Sequence, residues 1–305
     1  MNAFLLAIVG HLANAFAFLI DKILLTSALK RSGTYAALIG MLSFVTLIAV
    51  PWIREWPRAD AWPFIIGFGG VFVLALWAFF EALQRSEASR VVPIVGSLIP
   101  LFTLAGTMIF FHERLSNRSL AGFALLVFAT LLLTYGKGKK SIASKTIGIA
   151  VVSAFLFATA SVSGKAAFER GDVLSVFVAS RLIAGIVGVC LALTVPGVFH
   201  EIQKLATSRR QRTNGSRQPV GLVLCGQLLG AVGFLCVNAA LAYGSASIVN
   251  ALQAVQYGAI ALVAWLGGDR MARALHEERT REIVVVKSTA IVSVAIGLWL
   301  IGVPV

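Results

Sequence analysis

The chain has 305 residues, of which 58% are hydrophobic and 13% charged, and its formal net charge is +13. Soluble domains carry about 25% charged residues, so this composition excludes a soluble globular fold and requires lipid to solvate an apolar exterior. The basic excess lies in short connections between apolar stretches, which fits bilayer orientation and contact with anionic headgroups and gives no sign of a nucleic-acid partner.

A membrane-spanning helix needs ~20 apolar residues, and ten stretches qualify, at 3–21, 33–52, 62–80, 91–111, 119–136, 145–164, 173–195, 220–241, 247–267 and 283–302. They are continuous, whereas barrel strands alternate over about ten residues. The opening MNAFLLAIVG has neither a positive leader nor a small-residue cleavage site, so the first stretch is expected to remain as a helix.

Ionisable and amide side chains at membrane depth face a bundle interior or water, and are default candidates for function. In the first stretch His11, Asn14, Phe18 and Asp21 recur at i, i+3, i+7 and i+10, with Lys22 one step round. They form one helical face rising about 15 Å, which lines a cavity or is hydrogen-bonded into the bundle. Snorkelling accounts for Lys22 alone. In the third stretch Trp77 and Glu81 stand one turn apart, as a substrate contact or as an interfacial aromatic with a surface acid. The sixth ends on Ser161 and Lys165, and the seventh carries Arg181. A buried Arg needs an anionic ligand or an ion-pair partner, for which Asp21 and Glu81 are available. The eighth offers Gln227 and Asn238, and the ninth Asn250, Gln253, Gln256 and Tyr257; such groups bind a polar substrate or join helices. Residues 200–219 form a basic loop, and 268–282 are expected to form an interfacial helix. The three cysteines lie in spanning stretches without metal-ligand spacing and are expected to pack as small apolar residues.

Enzymatic motifs are missing. HEER at 276–279 lacks the second His of a zinc protease, and there is neither a phosphate-binding Gly-x-x-x-x-Gly-Lys-Ser/Thr loop nor a Gly-x-Ser-x-Gly elbow. GFGG at 67–70 sits inside a helix, where close helix packing explains it. No metal or cofactor is expected.

The two halves of the chain resemble each other. LIDKILL at 19–25 aligns with VSGKAAF at 162–168, which sets Lys22 opposite Lys165; each following helix ends on a Val-Pro step, and RSEASRVVP at 85–93 aligns with YGSASIVNA at 243–251. Residues 1–136 and 145–303 therefore form two five-helix repeats, the second carrying the basic loop. A repeat with an odd number of helices inserts upside down relative to its twin, an arrangement of secondary transporters with the site at the repeat interface. Nineteen Lys and Arg residues fall in the odd-numbered connections against six in the even ones. By the positive-inside rule this places both termini outside.

The stretch EALQRSEASRVVPIVGSLIPLFTLAGTMIFFHERLSNRSLAGFALLVFATLLL at 81–133 resembles the EamA-like branch of the drug/metabolite transporter superfamily, through its SEAS turn, Pro100, the HERLS segment at 112–116 and the Ala121-Gly122 start of the fifth helix. ALAYGSASIVNALQAVQYGAIALVAWLGGDR at 240–270 resembles it more weakly, with Gly258 where the first half has Pro100. The family commonly has an Arg within a segment that VASRLIAG at 178–185 resembles. The resemblance implies an all-α integral membrane protein with ten transmembrane helices in two inverted repeats, moving small metabolites by alternating access, with both termini in the cytoplasm. That last point opposes the charge count.

The first expectation for function is a multi-pass secondary transporter in the cell membrane, exporting amino acids or related polar compounds. Protons or a counter-substrate would couple the transport, through His11, Asp21 or Glu81, and the protein would act as a monomer or a homodimer. Flipping of a lipid-linked sugar or headgroup is the alternative. An intramembrane lipid-modifying enzyme is the remote one, because His11 and Asp21 stand too far apart, about 15 Å, for direct proton exchange.

Overall fold

The structure is a computed structural model and describes residues 2–24, 31–86, 88–133, 143–211, 220–266 and 281–302, for some of them the backbone alone. Among these residues all regular structure is helical, with no strand. Eight segments are long and apolar enough to cross a membrane, and Asn117–Leu133 and Leu228–Tyr243 are shorter apolar helices at two further expected stretches.

In the first half, α1 (Ala3–Leu24) is followed by α2 (Ser32–Leu42), which tightens into a 3-10 segment at Ser43–Trp52. After a short 3-10 turn at Ala59–Ala61 come α3 (Trp62–Ile66), with Pro63 in its first turn, and α4 (Phe72–Arg85). Proline suits that place because its missing N–H has no partner there anyway. A π-turn, Gly67–Val71, joins α3 to α4. α5 (Ala88–Phe111) and α6 (Asn117–Leu133) complete this half.

The second half holds α7 (Ser144–Phe168), α8 (Val173–Thr194), α9 (Val198–Gln211), α10 (Val220–Tyr243), α11 (Ala246–Ala251), α12 (Gln253–Leu266) and α13 (Arg281–Gly302). Asp172 caps α8 by accepting from the Leu174 and Ser175 amides at 3.0 and 3.2 Å. Ser245, in the Ser-Ala-Ser turn, caps α11 through the Ile248 amide at 3.2 Å.

Two expectations change. Residues 200–211 of the expected basic loop are helical, in α9, because Val198 and Ile202 recur one turn apart and pack on a core. The ninth apolar stretch is two helices, broken at Leu252. Of the expected interfacial helix at 268–282, residues 268–280 lie outside the described residues. Cys190 and Cys225 are exposed on their helices, and Cys236 packs against a core.

Helices group into two compact units, and each unit mixes both halves of the sequence. Unit 1 contains α1, α5, α6 and α10 to α13 around a core that includes Leu6, Phe123, Leu126, Val249 and Leu252. α1 crosses α10 where Gly10 meets Gly233, and α6 crosses α13 where Gly122 meets Gly297; a Cβ on Gly10 or Gly122 would lie 2.9 Å from the other glycine's carbonyl oxygen. Such close backbone approach is the usual basis of helix association in lipid.

Unit 2 contains α2 to α4 and α7 to α9, around Ala36, Ala37, Val73, Ala184, Leu191 and Val198. Here α2 crosses α8 at Gly40 and Gly188. The π-turn brings Gly67 against Ser163 of α7 and Gly69 against the Ser180 carbonyl of α8. Ser153 of α7 donates to the Ala75 carbonyl of α4 at 3.1 Å. Large apolar side chains such as Phe16, Ile48, Ile109, Leu193, Leu266 and Trp299 are exposed, as expected where lipid rather than water is the solvent.

Candidate functional site

The sequence-derived candidates fall into two groups, one within each unit. In unit 1 the organising feature is the break at Leu252. An α-helix pairs each carbonyl with the amide four residues on, and ending α11 at Ala251 interrupts that ladder. His11 of α1 meets the interruption: its Nε2 lies 3.0 Å from the Val249 carbonyl oxygen, and the residue is buried. The Gln256 side chain, in the first turn of α12, reaches the same imidazole. Nδ1 makes no hydrogen bond among the described residues.

Asn250, also at the break, donates from Nδ2 to the Thr103 hydroxyl at 2.9 Å, and Thr103 in turn donates to the Ile99 carbonyl at 2.8 Å. Tyr257 places its hydroxyl on α5, 3.2 Å from where a Cβ on Gly96 would stand. Pro100, four residues after Gly96, has no N–H and leaves the Gly96 carbonyl without its helical donor. Gln253 opens α12 and is half-buried. Asn14 lies against the backbone of Gly233 at the α1–α10 crossing. Thus His11, Asn250, Gln256 and Tyr257 gather where two helices carry interrupted ladders, while Asn14 packs a helix pair. Asn238 bonds back to the Phe234 carbonyl at 2.7 Å within α10.

In unit 2, Glu81 accepts from Ser32 Oγ at 2.6 Å and from Arg85 Nε at 2.8 Å. Ser32 opens α2, so the carboxylate sits at the positive end of that helix. Thr34, one turn's fraction on, donates to Glu201 of α9 at 2.6 Å, giving the same helix start a second acid. Trp77 packs in the unit 2 core, with its indole nitrogen 3.6 Å from a Cβ position on Gly33. Lys165 pairs with Glu169 at 3.6 Å.

Arg181 is 2% exposed, and its guanidinium carbon lies 5.2, 5.0 and 5.9 Å from the ring centroids of Phe68, Phe72 and Phe177. Ser180 Oγ is 3.4 Å from its Nε. A flat, weakly hydrated cation tolerates burial against aromatic faces; the π-turn presents Phe68, and α4, which follows it, presents Phe72. Glu81, one of the expected ion partners of Arg181, is engaged by Ser32 and Arg85 instead. The side chains of Asp21 and Lys22 lie outside the described residues.

Sequence reading missed Thr103, Ser32, Glu201 and the three phenylalanines. Only Phe68 left a trace, in the Gly-rich pattern of the π-turn. It also missed the partner of the HERLS segment. His112 there adopts φ 52°, stopping α5, and Glu113 accepts from Ser247 of α11 at 3.4 Å.

The profile of the EamA-like transporter family matches residues 1–135 and again residues 144–302. The chain belongs to the EamA-like transporter family. It is therefore a multi-pass membrane transporter protein of the drug/metabolite transporter superfamily, and EamA proteins are in general transporters rather than enzymes. A solved structure described only as "Crystal structure of protein" shares its fold, with a TM-score of 0.63, 16% identity, and coverage of 96% of this chain and 95% of the other. No curated protein matches the sequence. The two EamA matches divide the chain by sequence, whereas the compact units divide it by space and draw on both matched halves.

Proposed function

We propose that this EamA protein is a secondary transporter of the cell membrane, exporting amino acids or related small polar metabolites by alternating access. It would be built as ten helices in two inverted repeats, at 1–136 and 145–303. The observation that carries this reading is the double family match together with a polar cluster at an interrupted helix. In secondary transporters, broken helices hold substrate and coupling ions near the bilayer midplane. His11, Asn250, Gln256 and Tyr257 form such a cluster around the break at Leu252.

The helix pairings support the repeat. The four most extensive, α1 with α10, α6 with α13, α4 with α7 and α2 with α8, each join one half of the sequence to the other. Exchanging the halves carries the first helix of each repeat onto the other's first, and so on. The α1–α10 pair then becomes the α7–α4 pair, and the other two map onto themselves. A pseudo-twofold relation requires that pattern.

The polar groups suit a substrate with hydrogen-bonding capacity, and Lys165 and Arg181 suit one that also bears an acidic group. Lys22, the expected counterpart of Lys165, would serve the same end from the first repeat. The test begins with a thermal-shift screen of purified protein against a panel of amino acids and related metabolites. Compounds that stabilise the protein are then assayed for flux in proteoliposomes, with the Lys22→Ala and Lys165→Ala variants in parallel. Flux of a stabilising compound above empty vesicles is expected, with either substitution reducing it about tenfold or more, the scale of one lost charge-assisted bond. Absence of flux for every stabilising compound overturns the reading, and unchanged flux in both variants removes the lysines from it.

A further inference from the structure

We infer that His11 is a proton-binding site whose occupancy clamps the two parts of the broken helix, α11 and α12, together. Because Nε2 faces a carbonyl oxygen, which only accepts, the neutral imidazole must carry its proton on Nε2 and donate it to Val249. The open position is then Nδ1, which is buried and makes no hydrogen bond among the described residues. Beside the ring lies Gln256, whose amide oxygen accepts.

Binding a proton at Nδ1 converts the ring from one donor to two. The first stays on Val249, before the break, and the second turns to Gln256, after it. A neutral His11 holds one side of the break, and a protonated one bridges both. Protonation adds a positive charge to a site with no counter-charge on the helices beside the break. Helix α13, which meets Phe4 of α1 at Gly302, carries Arg281, Glu282 and Lys287, all fifteen or more residues before that contact. Helices α10, α11 and α12 contain no Asp, Glu, Lys, Arg or His, and their titratable groups are Cys225, Cys236, Tyr243 and Tyr257. On α1 itself Asp21 and Lys22 are ten and eleven residues on, about 15 Å along the axis. The added proton is therefore held by hydrogen bonds and is released readily when the break opens, as a coupling ion must be.

Use of this proton in transport rests on the transporter reading, but the clamp does not, and its test needs no substrate. Hydrogen exchange of the full chain in lipid nanodiscs is followed by mass spectrometry at about pH 4 and about pH 7.5, a span that reaches well below the ordinary histidine range, with labelling times corrected for intrinsic exchange. Peptides spanning residues 246–258 are expected to be about threefold or more better protected at the lower pH, the scale of one added hydrogen bond. His11→Gln keeps a neutral donor toward Val249 and should abolish the pH dependence. Gln256→Leu keeps the histidine but removes the second acceptor, and should abolish it as well, which covers the case in which the His11 variant fails to fold. Equal protection of the wild type at both pH values overturns the inference, as does a pH dependence that survives either substitution. A protein that shows the clamp yet transports nothing leaves this inference standing and removes only the transporter reading.

Discussion

Replacing Gly188 by Ala places a methyl group into the crossing of α2 and α8. That carbon would stand 2.8 Å from the Ala37 carbonyl oxygen, 2.8 Å from the Met41 nitrogen and 2.9 Å from the Gly40 carbonyl carbon. All three are backbone atoms, so no rotamer change relieves the contact, and the helices must separate by about 0.6 Å to restore ordinary van der Waals distances. Over-packing of this kind costs about 1–3 kcal/mol. The same substitution relieves the entropic cost of a helical glycine, a gain of about 1 kcal/mol. Gly148 of α7 isolates that second effect, since a Cβ there meets nothing within 4 Å. The difference between Gly188→Ala and Gly148→Ala therefore cancels propensity and reports the crossing alone. It should be about 1–3 kcal/mol against Gly188→Ala. Reversible denaturation in mixed micelles, followed by tryptophan fluorescence, measures both variants on one scale. A difference below about 0.5 kcal/mol, the range of neutral surface changes, would refute a backbone-to-backbone crossing at this position.

Two further outcomes test other parts of the molecule. Thr103→Val and Asn250→Leu each break the bond between α5 and α11, and a double-mutant cycle should return a coupling of about 0.6–1.7 kcal/mol; additive losses would mean that the two side chains do not share a bond. Gly197, at φ 79°, also leaves room for the Arg31 guanidinium, which donates to the Pro196 carbonyl at 2.9 Å. Gly197→Ala should strain the turn by about 1–2 kcal/mol and loosen α9, seen as faster proteolysis within residues 198–211 while the rest of the chain stays protected.

Much of the architecture was legible because the bilayer imposes a length and a polarity on each spanning segment. The stretches around α1, α5, α8 and α13 needed only a count of apolar residues. His11, Arg181 and Asn250 stood out because polar groups are costly there. The break at Leu252 left no mark, since no Gly or Pro stands within five residues on either side of it. Conversely Pro100, the residue most suggestive of a break, sits within a helix that continues from Ala88 to Phe111. α9 was hidden because its charges outweigh the two apolar residues that seat it. The partners of the candidates were out of reach for another reason. His11 and Val249 are 238 residues apart, and Thr34 and Glu201 are 167. Pairings at such distances follow from which helices meet, and local pattern carries no information about that. The aromatic surroundings of Arg181 depend on a π-turn, whose signal in sequence is only a cluster of glycines.

The way the compact units draw on both halves of the sequence has a consequence for synthesis. When the first half has left the ribosome, α1 and α6 are in the membrane, but α10 and α13, against which Gly10 and Gly122 pack, have not been made. The same holds for α2 and α4, whose partners α8 and α7 come later. Each of these early helices then waits in lipid with the face that meets its later partner uncovered. Unit 1 closes only when the last helix inserts. A chain cut short anywhere before α13 thus lacks a finished unit 1: the glycine face of α6 is bare, and that of α1 as well when the cut falls before α10.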